Sequence, residues 1–282
     1  MLASTLCSIE VAPDLTTATI DDHTIVVVDS AIALASLDAC KRPARAWIAV
    51  PGEGLQPAEP TAVSALLHAG WDHVVAHPMP LLAEELLATA QKLIRRDCFG
   101  LDKYMAWGAE VRSYTLEDAI ERDAAVAAIA SDVTRVGLPD RIGSLVSVVA
   151  DELLANALYA APVDDSGAKH RIHDPRDRSR LLTDRDVVSL RWSTDGRYLA
   201  IEVRDRWGTI EPAAIETRLA ATKTSTAENG MGLPLAYACS NQLVLNVAPQ
   251  ALTEVIALLD IRYKPTELAR SASFHAFWGE LP

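Results

Sequence analysis

The heptapeptide Asp151-Glu-Leu-Leu-Ala-Asn-Ala157 decides how the rest of the chain is read. On a helix, Glu152 and Asn156 lie one turn apart and project together, while Leu153, Leu154, Ala157 and Leu158 supply the apolar positions. A helix from about Arg141 or Ser144 to Tyr159, ended by Pro162, therefore holds a carboxylate and an amide on one ledge. That pair suits magnesium-nucleotide chemistry, because a neutral amide oxygen coordinates a hard cation while the carboxylate orients or deprotonates a nucleophile. Taken alone, Glu and Asn at this spacing are more often a solvated helix face.

Downstream, strands are expected over Val187 to Trp192 and Tyr198 to Arg204, with Asp195-Gly196 as the hairpin signal between them. The second strand delivers Asp205 to its end, just before a turn at Gly208, a geometry for a carboxylate that accepts a hydrogen bond from an adenine amino group. Then comes Asn229-Gly-Met-Gly-Leu-Pro-Leu-Ala236, where Gly230 and Gly232 flank Met231 and precede Leu233. Glycines ahead of a helix let backbone N–H groups approach phosphate, and the helix N-terminus adds partial positive charge. Between Gly208 and Gly230 lie Lys223 and the hydroxyls of Thr222, Thr224, Ser225 and Thr226, polar enough for a lid over phosphates. A helix at Leu233 to Ser240 and strands near Leu243 to Val247 and Thr253 to Asp260 complete the run. This order predicts one sheet with helices on one face, an α+β sandwich.

Upstream, Thr115-Leu-Glu-Asp118 has the form of a capping box opening a helix whose apolar face is Ile120, Ala124, Ala127 and Ala130 to Val133, broken at Leu138-Pro139. Gly100 to Ser113 reads as a connector. Before it, Thr24 to Asp29 and Arg45 to Val50 are apolar and β-branched, as in strands of a parallel sheet. Helices at Ser30 to Ala39, Thr61 to Ala69 and Leu81 to Arg96, with a strand at His73 to Ala76, give a βαβαβα pattern. The expected class is α/β, with residues 1–100, a connector 101–114 and residues 115–282 as units.

Helix with Glu-x3-Asn, strand with Asp205, polar lid, Gly-x-Gly-Leu and a strand bearing Thr253 follow one another in an order that resembles the N, G1 and G2 boxes of GHKL ATPases, the family of histidine kinases, anti-sigma-factor kinases, gyrase and Hsp90. The resemblance implies an α+β sandwich of GHKL (Bergerat) type that takes ATP and Mg2+. It implies that Asn156 holds magnesium, Glu152 is the general base, Asp205 binds adenine with support from Thr253, and Gly230 to Leu233 face the phosphates. One departure stands out: the usual Asp-x-Gly-x-Gly is here Asp205-Arg-Trp-Gly208-Thr. Either Gly208 alone supplies the unusual dihedral and Trp207 packs on the base or the core, or the pocket is partly closed. No histidine lies in Thr115 to Tyr159, which argues against a histidine autokinase and toward the anti-sigma-factor serine kinases.

Leu66 to Ile94 resembles the last third of a response-regulator receiver domain: small helix, glycine, strand, a Lys-Pro-like pair and a closing helix. His77 stands where the receiver's lysine would be, and Asp29 aligns with its phosphoacceptor or is simply a helix cap. The resemblance implies a degenerate receiver-like module in a bacterial signalling protein, working with a protein partner.

A net charge of −12 disfavours nucleic acid, whose affinity rests on Lys and Arg. The basic stretch Lys169 to Arg191 alternates with Asp174, Asp177, Asp184 and Asp186 and reads as a solvated, self-neutralised loop. Cys7, Cys40, Cys98 and Cys239 show no ligand spacing, no window has the uninterrupted apolar length of a membrane span, and a reduced cytoplasmic setting is expected. The Leu81 to Arg96 helix is a candidate homodimer face, although a buried face within the chain is the commoner use.

Overall fold

The computed structural model describes residues 8–38, 40, 42–52, 56–212, 215, 219, 232–262 and 271–280. Among the described residues, nine strands form one mixed sheet: β1 (Ile25–Asp29), β2 (Ala46–Val50), β3 (His73–Val74), β4 (Val111–Leu116), β5 (Val188–Thr194), β6 (Tyr198–Asp205), β7 (Gln242–Ala248), β8 (Leu252–Asp260) and β9 (Ser273–Trp278). Their order across the sheet is β1-β2-β3-β9-β7-β8-β6-β5-β4. β1, β2 and β3 run parallel, as their apolar, β-branched runs predict. β9 joins the halves, antiparallel to β3 and parallel to β7.

The helices are α1 (Ser30–Ala35), α2 (Pro60–His68), α3 (Leu81–Arg95), α4 (Arg122–Arg135), α5 (Asp140–Ala155) and α6 (Gly232–Cys239). Ala33 of α1, Val63 and Leu66 of α2, Ile129 of α4, Val149 and Leu153 of α5 and Ala236 of α6 share one apolar core with Phe274 and Ala276 of β9. α3 covers the opposite face. The alternation of β9 explains this division: Phe274 and Ala276 point into that core, while Ser273, His275 and Phe277 meet Glu85, Thr89 and Lys92 of α3. The stretch Asp140–Ala160 is the single helix, among the described residues, long and apolar enough to cross a membrane; most of it is buried in the core.

One expectation fails. Thr115 does not open a helix but sits in β4, the edge strand paired with β5 from Val111↔Ser193 to Leu116↔Val188. The helix begins seven residues later, at Arg122, and buries Ala125, Ile129 and Val133, while Ile120 is 52% exposed and Ala124 and Ala127 face solvent. Asp118 caps only a short 3₁₀ turn, its carboxylate accepting from Ile120 N. The alternation of Val111, Ser113 and Thr115 against a neighbouring strand outweighs a local capping signal.

The connector is also ordered. Two fully buried glutamates on the α3 face staple it to the sheet: Gly100 N–H donates to Glu254 Oε1 at 2.9 Å and Leu101 N–H to Glu202 Oε2 at 2.9 Å. Arg204 bridges both, 2.9 Å from Glu202 Oε1 and 2.5 Å from Glu254 Oε2. Burial first, then the neighbouring Glu254, pushes the Glu202 carboxyl up to about 7, against Arg204 and Arg191. Removing one acid leaves Arg204 and a buried amide short of partners, so Glu254→Ala is expected to cost about 3–5 kcal/mol in urea unfolding.

Candidate functional site

The ledge foreseen on the central helix exists. Glu152 lies on the last turns of α5, and from Asn156 to Ala160 the helix is wound as a π-turn, with Ala161 N–H donating to Asn156 O at 2.8 Å. Such local widening of a helix occurs mostly at functional positions.

Gly232, the first residue of α6, is seated directly on that ledge. A Cβ on Gly232 would lie 2.7 Å from Glu152 Oε2 and 2.9 Å from Asn156 Nδ2. Only glycine lets the start of α6 come this close, so residues far apart in sequence meet through the absence of a side chain. The N-terminal end of α6, where first-turn N–H groups have no partner within the helix, thereby borders the carboxylate and the amide. Leu233 turns its side chain into the core and offers only backbone here. Asn156 Nδ2 is buried without a hydrogen-bond partner among the described residues.

Asp205 ends β6, paired across the ladder with Thr253 at the start of β8. It is buried, and its Oδ1 accepts from Trp207 N–H at 2.8 Å and Gly208 N–H at 3.4 Å. Burial pushes its carboxyl up to about 6; the two backbone donors hold it down, with smaller help from Thr253 and Arg185. The Thr253 hydroxyl lies outside ordinary hydrogen-bond geometry to this carboxylate. At neutral pH the acceptor form of Asp205 predominates.

Gly208 carries φ +59°, and its carbonyl accepts from Gln250 N–H at 2.9 Å. A Cβ there would fall 2.3 Å from Ala248 O and 2.7 Å from Ala251 N, which seats the turn against the β7–β8 connection. Trp207 is buried, with the Arg185 guanidinium 4.4 Å and that of Arg171 5.8 Å from its ring centroid.

Ala161 ties the two groups together: its N–H meets Asn156 O, and its carbonyl accepts from Thr209 Oγ1 at 2.6 Å. Glu152, Asn156 and Gly232 thus form one contact set and Asp205, Gly208 and Thr253 a second, joined through this residue. Lys223, Gly230 and Met231 lie outside the described residues.

No family model matches the chain, and no curated protein matches it.

Two residues without a sequence signal belong to the site. Burial and, after it, Asp151 raise the Glu152 carboxyl above the usual range, while Arg176 and Arg122 pull it back. Arg122 Nε is 3.0 Å from Asp151 Oδ1. Arg176 comes from the basic stretch, which is indeed self-neutralised by Arg171–Asp186 and Arg180–Asp174 pairs. It is nonetheless docked rather than merely solvated: Arg180 donates to Leu158 O at 3.1 Å, and Arg185 to Gln250 O at 2.8 Å. Arg176 itself stays exposed, and alternating charge carries no mark of which cation acts on an acid elsewhere in the chain.

In the first third of the chain, Asp29 is the N-cap of α1, its Oδ1 accepting from Ala31 N–H at 2.7 Å. His77 is buried, and its Nδ1 meets Glu85 Oε1 and lies 3.2 Å from Ser273 Oγ. Both partners share one imidazole nitrogen, so the cluster is an interior tie between β9 and α3, not a relay to a nucleophile. Among the described residues, no group of three or more His, Cys, Asp or Glu is arranged to hold a metal ion.

Proposed function

We propose that this chain binds Mg-ATP in a GHKL-type site and acts as a serine/threonine protein kinase of the anti-sigma-factor type in bacterial cytoplasmic signalling. The observation that carries the reading is the seating of Gly232 on Glu152 and Asn156. It joins the acid–amide ledge to a helix N-terminus, the pairing a nucleotide's metal and phosphates require.

The residues fit magnesium. That ion keeps most of its ligands from water and phosphates and asks the protein for one or two oxygens, so a metal-binding cluster is not needed. Asn156 would offer its side-chain oxygen for this role, while its amide nitrogen, buried without a partner among the described residues, is left to donate to a bound group. When bound, magnesium would neutralise charge on the phosphates. Asp205, buried and held by two backbone donors, keeps acceptor capacity for the adenine amino group. Glu152, its carboxyl raised by burial, is suited to take the proton of an attacking hydroxyl. The N–H groups at the start of α6 are placed to donate to phosphate oxygens. Asp29 serves as a helix cap and His77 as an interior residue, so a front portion that does not itself accept phosphate is the reading proposed here.

The test uses labelled ATP with magnesium. Glu152→Ala is expected to keep nucleotide affinity within about threefold while turnover falls about 100-fold or more. Unchanged turnover in that variant would remove Glu152 from the chemistry.

A further inference from the structure

A cleft of about 980 Å³ opens where the N-terminal ends of β2 and β3 meet the last turn of α3 and the end of β9. It is lined by none of Glu152, Asn156, Asp205 or Gly232. Its volume is at the upper end of the range for small-molecule sites.

Three tryptophans line it. Trp47 and Trp71 form an edge-to-face pair with ring centroids 6.3 Å apart. Trp47 Nε1 donates to Arg42 O at 3.2 Å, and Trp278 Nε1 donates to Asp72 Oδ1 at 2.9 Å. With those two indole N–H groups engaged by the protein, Trp47 and Trp278 offer a ligand their ring surfaces.

The polar lining carries three cations, Arg45, Lys92 and Arg96, beside three acids, Asp22, Asp72 and Glu280. Lys92 is buried, and its ammonium donates to Tyr104 Oη at 2.5 Å and Asn246 Oδ1 at 3.0 Å and sits 3.8 Å from the Phe277 ring centroid. Among the described residues, Lys92, Arg45 and Arg96 make no ion pair. Burial lowers the Lys92 ammonium to about 7, against Cys98, Glu254 and Asp97, which pull it up. Of the acids on the rim, Asp72 is engaged by Trp278, and Asp22 and Glu280 are exposed. His73, also on the lining, keeps Nδ1 buried without a partner.

We propose that this cleft is a second ligand site, for a flat aromatic anion. Its ring system lies against Trp47, Trp71 and Trp278, and its acidic group lies among Arg45, Lys92 and Arg96.

The probe is 1-anilinonaphthalene-8-sulfonate, compared with its uncharged analogue N-phenyl-1-naphthylamine, on the full chain. Saturable sulfonate binding with energy transfer from tryptophan is expected. In Arg45→Gln/Arg96→Gln its affinity falls about tenfold, while the neutral analogue changes less than about twofold. Both arginines are at least partly exposed, so the fold is kept, and an unchanged unfolding midpoint checks this. Asn156→Ala leaves the sulfonate affinity unaltered, which separates this site from the nucleotide site. Displacement by 1-naphthoate assigns the cleft to aromatic carboxylates; displacement by AMP that persists in Asn156→Ala assigns it to a mononucleotide. Absence of saturable binding, equal loss of both probes in the double variant, or displacement by neither competitor at millimolar concentration overturns the proposal.

Discussion

Gly208→Ala is expected to destabilise the protein by about 3–5 kcal/mol, among the largest single-residue losses the fold allows. Two costs combine. The residue sits at φ +59°, where a side chain is strained, and the new methyl carbon would fall 2.3 Å from Ala248 O, 2.7 Å from Ala251 N and 2.8 Å from Gln250 N. Those atoms are backbone of the β7–β8 connection and cannot swing aside as a side chain would. Relief requires moving the turn, and the turn carries the Trp207 and Gly208 N–H groups that hold the Asp205 carboxylate. Urea unfolding measures the stability, and a loss under about 1 kcal/mol would show that the turn is not seated as described.

Gly232→Ala is expected to behave in the opposite way, with little change in stability and a loss of Mg-ATP affinity of about 100-fold, roughly 3 kcal/mol. The added carbon would meet Glu152 Oε2 at 2.7 Å and Asn156 Nδ2 at 2.9 Å, both ends of flexible side chains. They can rotate away, so α6 keeps its place and alanine suits a helix better than glycine. What is displaced is the ledge itself. Near-normal unfolding together with lost binding separates a site defect from a folding defect; full affinity in this variant would mean that Asn156 does not define the nucleotide's seat.

These two glycines show where the sequence was legible. Asp205-x-x-Gly208 announced a turn, and the positive φ agrees, because only glycine takes that conformation cheaply. Nothing in Gly-Met-Gly-Leu showed that Gly232 would touch Glu152, since the contact depends on how α6 crosses α5. The parallel strands β1 and β2 were readable from unbroken β-branched runs. β9 was not: Ser273-Phe-His-Ala-Phe-Trp278 puts Ser273 and His275 on a buried face, where an apolar pattern is expected. Ser273 is satisfied by Glu85 of α3 and His275 Nδ1 lies 3.4 Å from Thr89 Oγ1, partners distant in sequence, while His275 Nε2 stays without one among the described residues. Thr115 was misread for a related reason, a capping pattern overruled by pairing with Ser189 of β5. The cations Arg122 and Arg176 gave no signal, because charge alternation does not reveal which side chain faces an acid.

The reading of the site stands or falls on a calorimetric titration of Mg-ATP into the wild-type protein, Asn156→Ala and Asp205→Asn. The expected result is saturable one-to-one binding to the wild type, lost by about 100-fold or more in each variant, since each removes a group that contacts a different end of the nucleotide. A wild-type protein that takes up no nucleotide at millimolar concentration, or two variants that bind as it does, would contradict it.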